Sequence, residues 1–406
     1  MMSLPLEGIT VLDLSRFLPA ASGTMILGDM GANIIRIETP QTAEKHLSRL
    51  MISVKEESEE RRLAYDCRFR NKKSITINLQ EKRSRDIFVK LLAKTDVIVS
   101  EFRPSVAKKL GVDYETVKGI KPDIIYCAVS GYGQNGPYHD FPGFDPNFIA
   151  LGGLLGITGD IHGNHVLPGI PVGDMCAGLF SAIGVLLALR VKERTGKGQM
   201  IDFAVADGVA YLVGVRHGPF FFSEGAPIKR GSRLTHTYRT KDNKFLCFAF
   251  GTPVYWEAVC RALGMEQYIP YWKDIQALGL EDAMSDPDGV RLRQREAVDC
   301  LAKVLLTKDR DEWFTILSRA GAAATPVYEM DEVFSDPQLV HRQMLQEVEH
   351  PRIGKVKQVG IPIKLSETPG AIRKLSPLRG EHTEEILKSL GYTDGEIKDL
   401  RESKVI

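Results

Sequence analysis

Residues 9–38, ITVLDLSRFLPAASGTMILGDMGANIIRIE, carry two short β-branched runs on either side of a stretch rich in small and apolar residues. Ile9 to Leu14 reads as a strand, Pro19 to Met30 as a helix with small residues on one side, and Asn33 to Glu38 as a second strand. The same rhythm continues downstream. A polar stretch from Thr39 to Arg70, crowded with both charge signs, reads as loop or surface helix. Then come strand-like Ser74 to Leu79, an amphipathic helix from Glu81 to Lys94, and strands at Asp96 to Ser100 and Asp123 to Val129. Such alternation predicts an α/β fold, a parallel sheet covered by helices on both faces. Ligands of such sheets bind beyond the carboxyl ends of the strands, so the loops after Glu38, Leu79, Ser100 and Ser130 are the places to look for a site.

The pattern changes near Gly218. Thr237 to Thr240 and Lys244 to Phe250 flank a Lys241-Asp242-Asn243 turn and read as a hairpin. Helical patterns follow at Pro253 to Leu263, Val290 to Leu306 and Arg310 to Arg319, so this block reads as a smaller α+β domain. The tail has extended segments around Val348 and at Ile361 to Leu365, then helices after Gly380 and Thr393.

The 406 residues are 43% hydrophobic and 26% charged, ample for a core, with Lys+Arg 53 balanced by Asp+Glu 52. A net charge of +1 argues against a basic nucleic-acid-binding surface. The longest apolar run, Met175 to Leu189, falls short of the ~20 residues that span a bilayer and is expected to be a buried helix. The six cysteines are scattered, with no Cys-x-x-Cys pair and no His cluster beside them. That spacing argues against zinc or a disulfide framework and for a reducing cytoplasm.

Gly131-Tyr132-Gly133-Gln134-Asn135-Gly136 fits G-x-G-x-x-G after a strand. A dinucleotide fingerprint needs a helix to start there, and Pro137, Pro142, Gly143 and Pro146 argue against one. Basic residues recur around the strands: Arg36, the loop Phe69 to Ser74 with Lys72 and Lys73, and Arg103 and Lys109. On a parallel sheet these positions would converge on one edge and neutralise phosphates, whereas each residue alone is ordinary surface charge. Asp174 precedes the apolar helix. It reads either as a plain N-cap or as a carboxylate nucleophile that the helix dipole keeps ionised at neutral pH. His139, His162, His165, His217, His236 and His382 show no triad-like or metal-like spacing.

In order along the chain, several stretches resemble the class III CoA-transferases, the family of formyl-CoA transferase, carnitine CoA-transferase, the bile-acid-inducible F type and the related α-methylacyl-CoA racemases. They are Leu27-Gly28-Asp29-Met30-Gly31-Ala32 through Pro40, Asn71 to Ile75, Phe102-Arg103-Pro104, Ser130 to Pro137, Asp174, Arg194-Thr195-Gly196-Lys197-Gly198-Gln199, Asp336-Pro337-Gln338 and Gly380-Glu381-His382-Thr383. The resemblance implies a Rossmann-like large domain built from both chain ends (1–217 and 326–406), an inserted α+β domain (218–325), and an interlocked dimer. It implies a homodimer, or a heteromer with a paralogous subunit, acting on acyl-CoA and carboxylic acids without nucleic acid or membrane. No prosthetic group is implied; coenzyme A enters as a thioester substrate.

By the same resemblance Asp174 is the nucleophile, passing through a mixed anhydride and an aspartyl-CoA thioester. Arg36, Asn71, Lys72, Lys73, Phe102, Arg103 and Lys109 fall where the family holds the CoA nucleotide. Three departures stand out. Gly143-Phe144-Asp145 replaces the racemases' Gly-His-Asp, and phenylalanine moves no proton, which favours transfer over racemisation. Glu101 stands where the family has Asn before Phe-Arg-Pro. The glycine-rich closing loop is reduced to Phe250-Gly251-Thr252-Pro253. Phe220-Phe221-Phe222 reads either as core or interface or as the lining of an acyl pocket for a bulky or aromatic acceptor acid of the phenyllactate or benzylsuccinate type; the donor is expected to be succinyl-CoA or a product acyl-CoA. The alternatives are an acyl-CoA racemase or isomerase on this fold, and a non-catalytic CoA-binding partner subunit.

Overall fold

The computed structural model describes residues 4–40, 59–159, 164–224, 237–249, 252–272 and 290–406. Six parallel strands form one sheet: β1 Thr10–Leu14, β2 Asn33–Glu38, β3 Lys72–Thr76, β4 Val97–Ser100, β5 Ile125–Ser130 and β6 Met200–Ala204. Their spatial order is β3-β2-β1-β4-β5-β6. The chain therefore winds outward from β1 in one direction and returns to β4 to wind in the other. Between β1 and β4 the two following loops diverge to opposite faces and leave a crevice, the switch point where such sheets bind ligands.

Alternation along the strands feeds two cores. Leu12, Leu14, Ile75, Ile98 and Tyr126 face the helix Ser84–Ala93 and the C-terminal residues Ile386, Leu387, Leu400 and Val405. Val11, Ile34, Val99, Ile125 and Cys127 face the other way, toward Ala20 and Leu27 of the helix Leu18–Asp29 and Ala177, Ala182 and Val185 of the helix Val172–Thr195. Strands covered on both faces read as continuous apolar runs, which is why β4 and β5 were legible in the sequence. The edge strand β6 was not. It is short, carries Asp202, and pairs only with β5 (Tyr126↔Met200 to Ser130↔Ala204), so it lacks the apolar run of its neighbours.

The helices Leu18–Asp29 and Val172–Thr195 pack through small residues: a Cβ on Gly178 would collide with the Ser22 side chain, and one on Gly23 with that of Ser181. The second helix is buried on this face alone. Leu179, Ile183, Leu186, Leu187 and Val191 are exposed on the opposite side, so the helix expected to be buried is buried on one face only. The expectation that it falls short of a bilayer span is corrected. At 24 residues it has the length and apolar content to cross one, but its small-residue face is packed into the core of this chain.

The chain divides into two compact units. One comprises residues 1–155, 167–226 and 341–406, and the other residues 156–166 and 227–340. Within the second unit, β7 Thr237–Arg239 and β8 Phe245–Phe248 pair antiparallel, as the hairpin reading expects, and β9 Ala324–Val327 adds to β8. Helices Pro253–Leu263, Val290–Leu305 and Arg310–Arg319 cover its core around Trp256 and Trp313. In the first unit's tail, β10 Leu345–His350 pairs antiparallel with β11 Gly354–Val359. Ile361 to Leu365, read as extended, follows the ladder without joining a strand, and Ile361 is buried.

Candidate active site

Beyond β5 the glycine-rich loop runs to Phe144 without a helix, as Pro137 and Pro142 dictate, and the next helix starts at Asp145. Gly131 is required there, since any Cβ would collide with the Phe148 ring. The loop closes one side of a cavity of about 360 Å³ at the switch point, lined among others by Arg16 and Phe17 after β1, Glu101, Phe102 and Arg103 after β4, and Asp174. Phe17 and Phe144 meet edge-on at 6.1 Å, and Phe141 and Phe148 add further ring surface.

Asp174 lies in the first turn of Val172–Thr195 but is not its cap; Pro171 holds that position and has no side-chain acceptor. Asp145 supplies one instead, its Oδ1 accepting from the Asp174 backbone N–H at 3.1 Å. Gly173 leaves room for this contact, because a Cβ there would stand 3.0 Å from Asp145 Oδ1. The Asp174 carboxyl is left without a hydrogen-bond partner among the described residues. Burial first, and the neighbouring Asp145 charge second, push its pKa up to about 7. The dipole was expected to keep it ionised at neutral pH. Desolvation outweighs that contribution, and the group titrates near neutrality.

Glu101 ties the two strand-end loops together: one carboxylate oxygen accepts from the N–H groups of Arg16 (2.8 Å) and Phe17 (2.9 Å). An amide oxygen in the same place would accept both bonds equally, and only the carboxyl brings a titratable group. Burial, with smaller contributions from Asp13 and Asp174, raises it to about 7 despite the two donors. Two carboxyls with raised pKa values lining one cavity make it the candidate functional site.

Of the basic and polar residues assigned to the CoA nucleotide, Phe102 and Arg103 line this cavity. The others do not meet there. Lys72 has no exposed surface. Its Nζ donates to Asp13 (2.9 Å), Thr24 (2.7 Å) and the Ala21 carbonyl (3.0 Å). Asn71 is buried with left-handed backbone (φ 58) and bridges Asp29 to the backbone at Ala371, Arg373 and Lys374. For both, the assignment to a ligand is corrected to a role inside the fold, because every polar atom is already partnered. Arg36 pairs with Glu38 (2.9 Å) and lies 3.8 Å from the centre of the Phe69 ring. Lys73 reaches Glu385 (2.7 Å) at the surface. Lys109 lines a separate basic cavity with Lys82, Arg85 and Lys108. Phe222 is exposed; the side chains of Phe220 and Phe221 lie outside the described residues, as do Phe250, Gly251, His162 and His236.

Sequence reading missed Arg16, Phe17 and the capping role of Asp145. The one available signal was Pro171: a proline before a helix whose first turn needs an acceptor calls for that acceptor from elsewhere in the chain.

The profile of CoA-transferase family III matches residues 6–383. The chain is 32% identical to the succinyl-CoA:glutarate CoA-transferase of Mus musculus, over 99% of this chain and 90% of that protein. It is also 32% identical to the beta subunit of the succinyl-CoA–L-malate CoA-transferase of Chloroflexus aurantiacus, over 100% and 98%. A crystal structure of a CAIB/BAIF family protein from Brucella suis superposes with a TM-score of 0.80 at 26% identity, covering 96% of this chain and all of that one. With the profile spanning the sheet, the switch-point cavity and Asp174 alike, this chain belongs to CoA-transferase family III.

Proposed function

We propose that the enzyme moves CoA from a donor thioester to a carboxylic acid at the switch-point cavity, with Asp174 as nucleophile. The observation that carries this is a carboxyl with no hydrogen-bond partner among the described residues, raised to about 7 and facing a ring-lined cavity. The ionised Asp174 oxygen attacks the thioester carbonyl. The C–S bond breaks, leaving a mixed anhydride and CoA thiolate. The thiolate then attacks the aspartyl carbonyl of the anhydride, forming aspartyl-CoA and releasing the donor acid as carboxylate. The acceptor carboxylate reverses both steps. Acyl activation is conserved throughout, so neither ATP nor a redox partner is consumed.

The rings of Phe17, Phe102 and Phe144 favour an acid with an apolar body, up to the aromatic size of benzylsuccinate. The relatives' succinyl-CoA makes that thioester the first donor to try. Phe144 packs against Phe17 where a racemase would need a proton-moving group, which supports transfer. Phe102 and Arg103 are proposed to receive the CoA arm, with Arg36, Lys73 and Lys109 toward its phosphates. The exposed apolar face of Val172–Thr195 is proposed to be covered by a second copy of this chain or a paralogous subunit, and the protein to be cytoplasmic. Incubation with succinyl-CoA followed by borohydride or hydroxylamine trapping and peptide mass spectrometry tests the mechanism. The adduct is expected on Asp174 and is lost in Asp174→Ala; a panel of donors that yields none refutes it.

A further inference from the structure

Two cations line the Asp174 cavity, and they differ in what they already hold. Arg103 donates through one guanidinium nitrogen to the Asp140 carbonyl at 2.8 Å, while the Asp140 carboxylate accepts from the Ser105 N–H at 3.0 Å. It is part of the wall. Arg16 is held differently. Its backbone N–H is fixed by Glu101, yet its guanidinium has no hydrogen-bond or ion-pair partner among the described residues. Its one close neighbour is the Phe17 ring, with 6.0 Å from guanidinium carbon to centroid, at the outer limit of a cation–π contact.

The result is a cation anchored by its backbone, with a free planar fork of five donors, beside walls made largely of phenylalanine rings. Such a fork matches a carboxylate bidentately. Arg16 itself is exposed at the cavity's edge, so what it offers an anion is the geometry of its fork rather than a dry site. Glu101 does not fill the role, because its bonds go to backbone N–H groups rather than to the guanidinium. Nor does Asp174, whose carboxyl is the reacting group and has no partner.

We infer that Arg16 reads a second carboxylate on the acid whose first carboxylate reacts at Asp174, so that the enzyme selects dicarboxylic over monocarboxylic acids of equal length. This rests on the transferase reading above and deepens it by naming the substrate class and the residue that selects it. A monoacid of the same length puts a methyl group against the guanidinium and leaves its donors unpaired as water is displaced. A site built to bond a polar group discriminates strongly against the analogue that lacks it. The apolar walls contribute to both acids alike.

The test uses matched acceptors, glutarate against valerate and adipate against hexanoate, with succinyl-CoA and butyryl-CoA as donors. The quantity read is the ratio of kcat/KM for diacid over monoacid. Wild-type enzyme is expected to favour the diacid. Arg16→Met is expected to lower that ratio about tenfold to a hundredfold, the worth of a charge-assisted hydrogen bond, and Arg16→Lys to restore part of it. Thermal unfolding of each variant shows whether the fold is kept, and the ratio within one variant is insensitive to the fraction of active protein. Transfer with no diacid preference in wild type, or a ratio unmoved by Arg16→Met, overturns the assignment. So does a rise in KM for both donor thioesters with the acceptor ratio unchanged, which would place Arg16 on the CoA arm. Absence of transfer from either donor to any of the four acids, with no adduct at Asp174, overturns the transferase reading itself.

Discussion

Replacing Asp145 by Asn separates its two roles. Its Oδ1 caps the Asp174 backbone N–H at 3.1 Å, and its charge raises the Asp174 carboxyl. Asn keeps the acceptor and removes the charge. Two unit like charges about 6 Å apart in an effective dielectric of ~20–40 repel by roughly 1.4–2.8 kcal/mol, or about one to two pKa units. Burial is the larger cause of the shift, so the lower end applies, and Asp174 should fall by about one unit. The nucleophile acts ionised. Losing a neighbouring negative charge favours ionisation, so the acidic limb of kcat/KM must move to lower pH. The assay is the initial rate of CoA transfer from about pH 5 to about pH 9, where kcat/KM reports the free enzyme. Glu101 titrates in the same range, so the wild-type limb belongs to both groups; a Glu101→Gln background isolates Asp174. A limb that stays put in Asp145→Asn, or moves upward, refutes the electrostatic account. Asp145→Ala, which also loses the cap, should destabilise by a further ~0.5–2 kcal/mol.

Lys72→Met leaves the Asp13 carboxylate buried without its cation and should cost about 3–5 kcal/mol in urea unfolding, most of it recovered in the double variant with Asp13→Leu. A stable Lys72→Met enzyme with only a raised KM for the donor thioester would return that lysine to the ligand. On the helix Val172–Thr195, Ile183→Asp with Leu187→Asp places charge on the exposed apolar face and should shift the sedimenting mass to that of a single chain. An unchanged mass would show that this face is not where two chains meet.

Much of the fold lies open to sequence reading because its causes are local. Leu12, Ile98 and Ile125 sit in runs apolar on both faces, and such runs can only be central strands of a covered sheet. The hairpin around Asn243, which has a left-handed φ of 64, follows from turn chemistry. Motif order along the chain placed Asp174 and the family. Where the reading failed, the cause was distant. A lysine before a strand looks the same in sequence whether it meets a phosphate or a buried aspartate, and Lys72 meets Asp13, 59 positions away. Edge strand β6 needs β5 beside it before its short run pairs at all.

The sequence by itself determined the parallel sheet and the helix-free glycine loop, because periodicity and proline act within a few positions, and the order of its motifs singled out Asp174 as the candidate nucleophile. Only the tertiary structure decided the titration of that carboxyl and which cations line its cavity. Both depend on which atoms are brought close and how much water is left between them. Burial and Asp145 set the titration of Asp174, and the two strand-end loops bring Arg16, without a hydrogen-bond or ion-pair partner among the described residues, to the cavity lining.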